Sequence, residues 1–291
     1  MEALSSYSCL WRSLLPQYEP REAQAVVRTL LEDRFDLSLT DICSGAVEHL
    51  DEHQRSVLSA DMDRLQQGEP IQYVTGKAWF AGMYFAVGPG TLIPRPETEV
   101  LVDVISSHLQ ERNSIGLTKD KQSTNLLDIG TGSGCIAVTI AHRHPEVSVT
   151  AWDISPAALK YARRNALEHE AKVDFQLQDT LSPPDDRCHW DVIVSNPPYV
   201  CESERSSMEH HVLDHEPETA LFVPDDDPLR FYRAITRYAR QALRPGGLLA
   251  FEVNTAFADE VNRLLCSENF QNTMIHNDQY DKPRVVEGLL P

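Results

Sequence analysis

The sequence predicts an α/β protein in which an open sheet domain follows a bundle of helices, and three observations carry that prediction. Through residues 5–67, apolar side chains recur at three- and four-residue spacing, as in Ala23, Val26, Val27, Leu30 and Leu31, the period of amphipathic helices. From residue 126 onward, short apolar runs alternate with helix-length stretches, the pattern of strands joined by crossover helices. Between the two regions, aromatic and β-prone residues are parted by glycines at Tyr73-Val74-Thr75-Gly76, Trp79-Phe80-Ala81-Gly82 and Tyr84-Phe85-Ala86-Val87-Gly88, which reads as a hairpin.

In the N-terminal region, Thr40-Asp41 and Asp51-Glu52 offer helix starts, because short polar side chains can accept the free N–H groups of a first turn. Gly68-Glu69-Pro70 breaks the helical pattern. The expected division is therefore a helical domain at residues 1–75, a hairpin linker at 76–95 and a sheet domain at 96–291. Within the last, strands are expected at 126–129, 147–152, 174–177, 192–195 and 248–253. Helices are expected at 100–108, 135–142, 156–169, 228–243 and 255–267, with Pro156 at a tolerated first position and Pro245-Gly246-Gly247 ending the fourth. The polar stretch 116–124 and the Pro- and Asp-rich stretch 182–189 read as surface loops.

Composition narrows the function classes. With 291 residues, 42% hydrophobic and 24% charged, the chain can bury a real core and is not a disordered segment. Its 26 Lys+Arg against 44 Asp+Glu give 26 − 44 = −18, a field that repels phosphate backbones and anionic lipid, so nucleic acid and membrane are disfavoured as partners. The 6 cysteines form no CxxC pair, which fits a reducing compartment and writes no structural zinc site. The start, Met1-Glu2-Ala3-Leu4-Ser5-Ser6-Tyr7, carries an acid where a signal peptide needs positive charge, and no apolar run approaches the roughly 18 residues of a membrane span. A cytoplasmic monomer is the expectation.

Two histidine groups invite a metal reading. His211 and His215 share a helix face beside His210 and Glu216, but no cysteine or carboxylate spacing completes a site; His49 and His53 do not make His-Glu-x-x-His. No metal is expected. Ser133 in Gly132-Ser133-Gly134 lacks the flanks of a nucleophile elbow, which argues against a hydrolase.

The chemistry is written elsewhere. Leu126-Leu127-Asp128-Ile129 runs into Gly130-Thr131-Gly132-Ser133-Gly134 and then an apolar helix, an arrangement that lets backbone approach a nucleotide-like cofactor at a helix N-terminus. A dinucleotide fingerprint would place glycine at the sixth position, and that position is Cys135, so NAD is the weaker reading. Asp153 ends the next strand, where a carboxylate can accept both hydrogen bonds of a ribose diol.

A third motif follows on the strand ending at Ser195: Asn196-Pro197-Pro198-Tyr199, at the strand end where open α/β sheets bind ligands. An amide or aromatic-amine nitrogen has its lone pair delocalised, so it attacks a methyl donor only when aimed and with its N–H groups satisfied. The Asn196 oxygen can accept one N–H, the Pro197 carbonyl the other, and Tyr199 can present a flat face to the planar group. Both acceptors would also stabilise positive charge growing on nitrogen.

These residues resemble the PrmC/HemK family, the S-adenosylmethionine-dependent methyltransferases that modify the glutamine of peptide chain release factors. The resemblance extends through Glu69-Pro70-Ile71-Gln72-Tyr73, Leu92-Ile93-Pro94-Arg95-Pro96-Glu97-Thr98-Glu99, Glu216-Pro217-Glu218-Thr219-Ala220-Leu221, Phe231-Tyr232-Arg233 and Pro245-Gly246-Gly247, from about residue 68 onward. The tetrad alone is shared with adenine-N6 nucleic-acid methyltransferases; Arg-Pro-Glu-Thr-Glu is more specific. The resemblance implies a Rossmann-like class I methyltransferase sheet behind a helical substrate-recognition domain, with S-adenosyl-L-methionine as cofactor. It assigns cofactor contacts to Gly130, Thr131, Gly132, Ser133, Gly134, Asp153, Thr180 and Asn196. Catalysis falls to Asn196, Pro197 and Tyr199, and the substrate glutamine is held by Asn196, Pro197, Pro198 and Tyr199. The implied partner is a class I release factor presenting Gly-Gly-Gln. The chain departs from the family pattern at Thr180, Asn254, Asp225-Asp226-Asp227 and Asp281.

Two rivals stand beside this reading. An adenine-N6 methyltransferase on DNA or RNA would use the same tetrad on a flipped base, against which stand the acidic balance and the lack of a basic, aromatic-interleaved stretch. A catalytically silent cofactor-binding scaffold is countered by the intact glycine loop, acid and tetrad.

Overall fold

The computed structural model describes residues 6–15, 17–114 and 123–291. Residues 1–5, on which much of the leader-peptide reading rested, and most of the loop expected at 116–124 lie outside the described residues. Two compact units are present: Met1–Lys77 with Met208–His215, and Ala78–Ser207 with Glu216–Pro291.

The first unit is helical. Helices α1 (Tyr7–Ser13), α2 (Pro20–Phe35), α3 (Leu39–Cys43), α4 (Glu52–Gln66) and α5 (Ile71–Thr75) bury Leu10, Val27, Leu30, Leu31, Leu58, Met62 and Leu65 in one cluster. Asp51 caps α4 as expected, whereas α3 starts one residue before Thr40: Ser38 is its cap, and Asp41 closes a capping box back onto it. Buried Asp61 is paired with Arg34 at 2.8 Å. Arg34 and Arg64 also donate to the Val74 carbonyl, at 2.6 and 3.1 Å, and so satisfy a carbonyl left free at the end of α5.

A hairpin of β1 (Lys77–Phe80) and β2 (Met83–Ala86) follows. Its two-residue turn, Ala81 and Gly82, has φ of 51° and 89°, both positive as a type I′ turn requires. Phe80 and Phe85 are buried with Leu101, Ile105 and Ile136 of the second unit.

In chain order the sheet domain continues with α6 (Glu99–Ser114), β3 (Asn125–Ile129), α7 (Cys135–Arg143), β4 (Ser148–Asp153), α8 (Pro156–Glu168), β5 (Val173–Leu177), β6 (Trp190–Ser195) and a short β7 (Val200–Cys201). Helix α9 (His210–His215) groups with the first unit. Then come α10 (Glu218–Leu221), β8 (Phe222–Val223), α11 (Arg230–Ala242), β9 (Leu243–Glu252), α12 (Ala258–Ser267), β10 (Gln271–Asn277) and β11 (Pro283–Leu289).

The main sheet has seven strands in the order β10-β11-β9-β6-β3-β4-β5. The pairs from β5 to β9 are parallel; β11 pairs antiparallel with both β9 and β10. Successive residues of the central strands serve opposite faces: Leu126, Val192, Val194 and Leu248 enter one core cluster, Leu127, Ile129, Ile193 and Leu249 the other. From β3 the chain proceeds outward to β4 and β5, then returns to the other side of β3 as β6. The C-terminal ends of β3 and β6 thus form a topological switch point, the place where open α/β sheets take ligands.

The sheet is larger than the sequence pattern suggested. Strands β10 and β11 were not expected, because β10 is mostly exposed and polar, with Gln271, Asn272, His276 and Asn277 giving no alternation, and β11 begins at a proline. The helix expected at 228–243 starts at Arg230, and β9 begins already at Leu243 rather than at Leu248. The register between β6 and β9 jumps there, from Trp190–Leu243 to Val192–Leu248, so Arg244-Pro245-Gly246-Gly247 forms a bulge. Gly246 donates to the Leu290 carbonyl at 2.7 Å, which keeps this segment in the sheet.

Candidate active site

At the end of β3 the backbone turns through Gly130, Gly132 and Gly134 at φ of 76°, 57° and 82°, a region that residues with a Cβ rarely adopt. The N–H groups of Gly130 and Thr131 both donate to the Trp152 carbonyl of β4 at 2.9 Å. A Cβ at Gly134 would lie 3.1 Å from that of Ala162, so this glycine lets α7 pack on α8. At Gly130 and Gly132 a Cβ would meet nothing within 4 Å; those two positions face open space.

Asp153 ends β4 and is tied to the loop. Its Oδ2 accepts the Gly132 N–H and its Oδ1 the Ser155 N–H, each at 2.8 Å, which leaves lone pairs on both oxygens. Burial raises its pKa above the ordinary carboxylate value. Asp128 is wholly buried at the same strand ends: the Thr131 hydroxyl donates to its Oδ2 at 2.7 Å, its Oδ1 has no partner of ordinary geometry, and burial pushes its pKa up to about 7.

The tetrad extends from β6, where the Ser195 hydroxyl donates to the Ile129 carbonyl at 2.6 Å and locks the two strand ends together. Asn196 Nδ2 donates to the Thr98 hydroxyl at 3.4 Å. The Tyr199 hydroxyl donates to Oε1 of buried Glu252 at 3.0 Å, and the Tyr232 hydroxyl to the Glu252 carbonyl at 3.1 Å. Burial raises the pKa of both Glu252 and Tyr199, the latter further because of the carboxylate beside it.

A cavity of about 350 Å³ opens at this switch point, within the usual size of small-molecule sites. Of the residues singled out from sequence, Gly130, Gly132, Asp153, Thr180, Asn196, Pro197 and Pro198 line it together. Thr131, Ser133, Gly134 and Tyr199 are not in its wall. Thr131 turns its hydroxyl inward to Asp128, Ser133 is buried, Gly134 packs on α8, and Tyr199 is drawn to Glu252. A more open groove of about 700 Å³ between α6 and the β10–β11 edge holds none of these residues.

Other wall residues have no site role assigned by the sequence, although Leu92 and Phe231 stand within the motifs named above. Ile154 stands 61% exposed one residue beyond Asp153, a large apolar side chain left for a ligand to cover. Leu92 and Phe231 also line the cavity. Asn165 was likewise missed: wholly buried on α8, it exchanges hydrogen bonds with both backbone groups of Ala86, at 2.7 and 3.0 Å, and donates to the Ser133 carbonyl at 2.8 Å. One amide thereby ties the hairpin to the glycine loop. Among the described residues no group of three or more potential metal ligands occurs.

A parallel sheet with two appended antiparallel strands, a positive-φ glycine loop and a strand-end acid define the class I methyltransferase fold. The comparisons with known proteins agree. Residues 102–219 match the methyltransferase small domain and residues 10–76 the PrmC N-terminal domain. A release factor glutamine methyltransferase of Bacteroides thetaiotaomicron is 42% identical over 287 residues, covering 98% of this chain and 99% of that one. Another, of Flavobacterium psychrophilum, is 38% identical over 276 residues, 95% of each chain. This chain belongs to the release factor glutamine methyltransferase family.

Proposed function

We propose that the protein transfers a methyl group from S-adenosyl-L-methionine to the side-chain amide nitrogen of the Gly-Gly-Gln glutamine of class I peptide chain release factors, and so supports translation termination. The observation that carries this reading is the meeting of Asn196, Pro197 and Pro198 with Gly130, Gly132 and Asp153 in one cavity. The residues fit the cofactor: two glycines face open space, Asp153 keeps free lone pairs, and exposed Ile154 with half-buried Thr180 offers a wall for a planar base. When bound, the cofactor supplies an electrophilic methyl group on a sulfonium.

The chain's own residues bind and aim. Asn196 Oδ1 accepts one N–H of the substrate amide and the Pro197 carbonyl the other, which directs the nitrogen lone pair and stabilises the charge that grows there. Tyr199 braces the tetrad through Glu252. The alkylated amide nitrogen is strongly acidic, so water takes its proton and no dedicated base is needed. The helical unit recognises the protein substrate, since every cofactor-facing residue lies outside it. Incubation with labelled S-adenosylmethionine and a release factor, followed by mass-spectrometric mapping, tests the reading; label on the Gly-Gly-Gln glutamine is expected, and its absence there would refute it.

A further inference from the structure

We infer that Thr98 is a positioning residue for the transfer: its hydroxyl oxygen accepts a hydrogen bond from Asn196 Nδ2 and so presents Asn196 Oδ1 to the substrate amide. The inference rests on the methyl-transfer reading given above. An asparagine amide has two ends of nearly equal shape and opposite polarity, so packing alone does not choose which end faces the cavity. A half-turn about the last side-chain bond would set NH₂ against the N–H of the substrate, donor against donor. The choice must be made by a partner that accepts from one end.

Thr98 lies where that choice is made. It sits in the Pro96–Thr98 turn ahead of α6, only 2% exposed, with Oγ1 3.4 Å from Asn196 Nδ2. That is the long end of the hydrogen-bond range, so the contact sets direction rather than adding much strength. A hydroxyl can donate or accept, and its own proton must be engaged elsewhere before it reliably accepts. Glu252 engages it. Oε1 of this carboxyl takes the Tyr199 hydroxyl, while buried Oε2 has no partner of ordinary geometry. The Thr98 hydroxyl is close enough to favour the charged form of Glu252. A buried carboxylate oxygen without a donor is costly, so the Thr98 proton turns toward it and the Thr98 lone pairs are left for Asn196. One buried carboxylate thus sets the polarity at both ends of the tetrad, through Thr98 at Asn196 and directly at Tyr199.

The test is single-turnover methylation of a release factor at saturating cofactor by the wild type, Thr98→Val and Thr98→Ser, with Thr98→Val also placed in an Asn196→Ala background. Thr98→Val keeps the shape and loses the acceptor; the rate should fall on the order of tenfold while the cofactor dissociation constant stays put, and the thermal midpoint should fall because Glu252 Oε2 loses its donor. Thr98→Ser should recover to within about threefold, and Thr98→Val should cost nothing further once Asn196 is alanine. A Thr98→Val rate equal to wild type, a Thr98→Ser rate as low as that of Thr98→Val, or a full additional loss in the Asn196→Ala background would each overturn the inference. If Thr98→Val does not fold, Thr98→Ala removes the same hydroxyl and is judged by the same outcomes. A wild type that leaves the glutamine unmethylated would overturn the reading of the reaction and this inference together; a methylating wild type matched by Thr98→Val overturns this inference alone.

Discussion

Asn196→Ala removes the acceptor that faces the developing charge while leaving the glycine loop in place. Turnover should drop about a hundredfold to a thousandfold with only a modest change in cofactor affinity, as single-turnover rates and calorimetric titration would show. Asp153→Ala should instead act on binding, weakening cofactor affinity by roughly 2–3 kcal/mol in the same titration. Because Asp153 also holds the Gly132 and Ser155 N–H groups, the thermal midpoint should fall as well. Asp128 gives a pH signature. Its folded pKa, about 7, exceeds the ordinary value of 3.8, so its contribution to stability is full below about 4 and is lost as pH rises through about 7. Asp128→Asn should flatten the denaturation midpoint across that window; an unchanged slope would show that Asp128 is not the titrating group. At this scale the acid, the outward glycines and Asn196 were legible, because each occupies a fixed place at a strand end. The withdrawal of Tyr199 was not, since its partner Glu252 lies far along the chain, and neither was the inward turn of Thr131, since nothing local shows that neighbouring Asp128 is wholly buried and wants a donor.

Among the groups that hold the hairpin to the sheet domain, one amide also ties it to the glycine loop. Asn165→Ala would strand the Ala86 N–H and carbonyl and the Ser133 carbonyl in a buried place, at a cost of roughly 2–4 kcal/mol in urea unfolding. Cofactor affinity should fall too, because the glycine loop loses a support. Elements buried on both faces were easiest to read: β3 and β6 carry compact apolar stretches, Leu126-Leu127 with Ile129 and Val192-Ile193-Val194, and are followed by glycine and asparagine. β9 was read short because Pro245-Gly246-Gly247 is ordinarily a stop, and only the Leu290 partner across the bulge keeps that segment paired. β10 gave no periodic signal since it lies at the sheet edge, where one flank and much of its surface meet water.

The two units have separate cores: Leu10 through Val74 form one cluster, and the sheet domain's clusters begin at Phe80. Removing the helical unit's first 76 residues is therefore expected to spare cofactor binding, once circular dichroism shows the remainder folded. Methylation of an intact release factor should fall much further than that of a short Gly-Gly-Gln peptide, and equal losses would refute the division of labour. That the chain pairs a helical region with an α/β region was plain from hydrophobic period alone; that residues 208–215 group with the helices was hidden, because nothing local marks such a return. The strand order has a last consequence, for synthesis. β11 is made after β10 yet lies between it and β9, so β9 keeps a bare edge and β10 has no neighbour until residue 283 has emerged. The roughly 30 residues from the end of β9 to β11 take a ribosome about 2–6 seconds at about 5–20 residues per second, long enough for an unpaired strand to recruit another nascent chain. The nascent protein is open to misassembly in that interval, and a factor that holds the unpaired strand would act there.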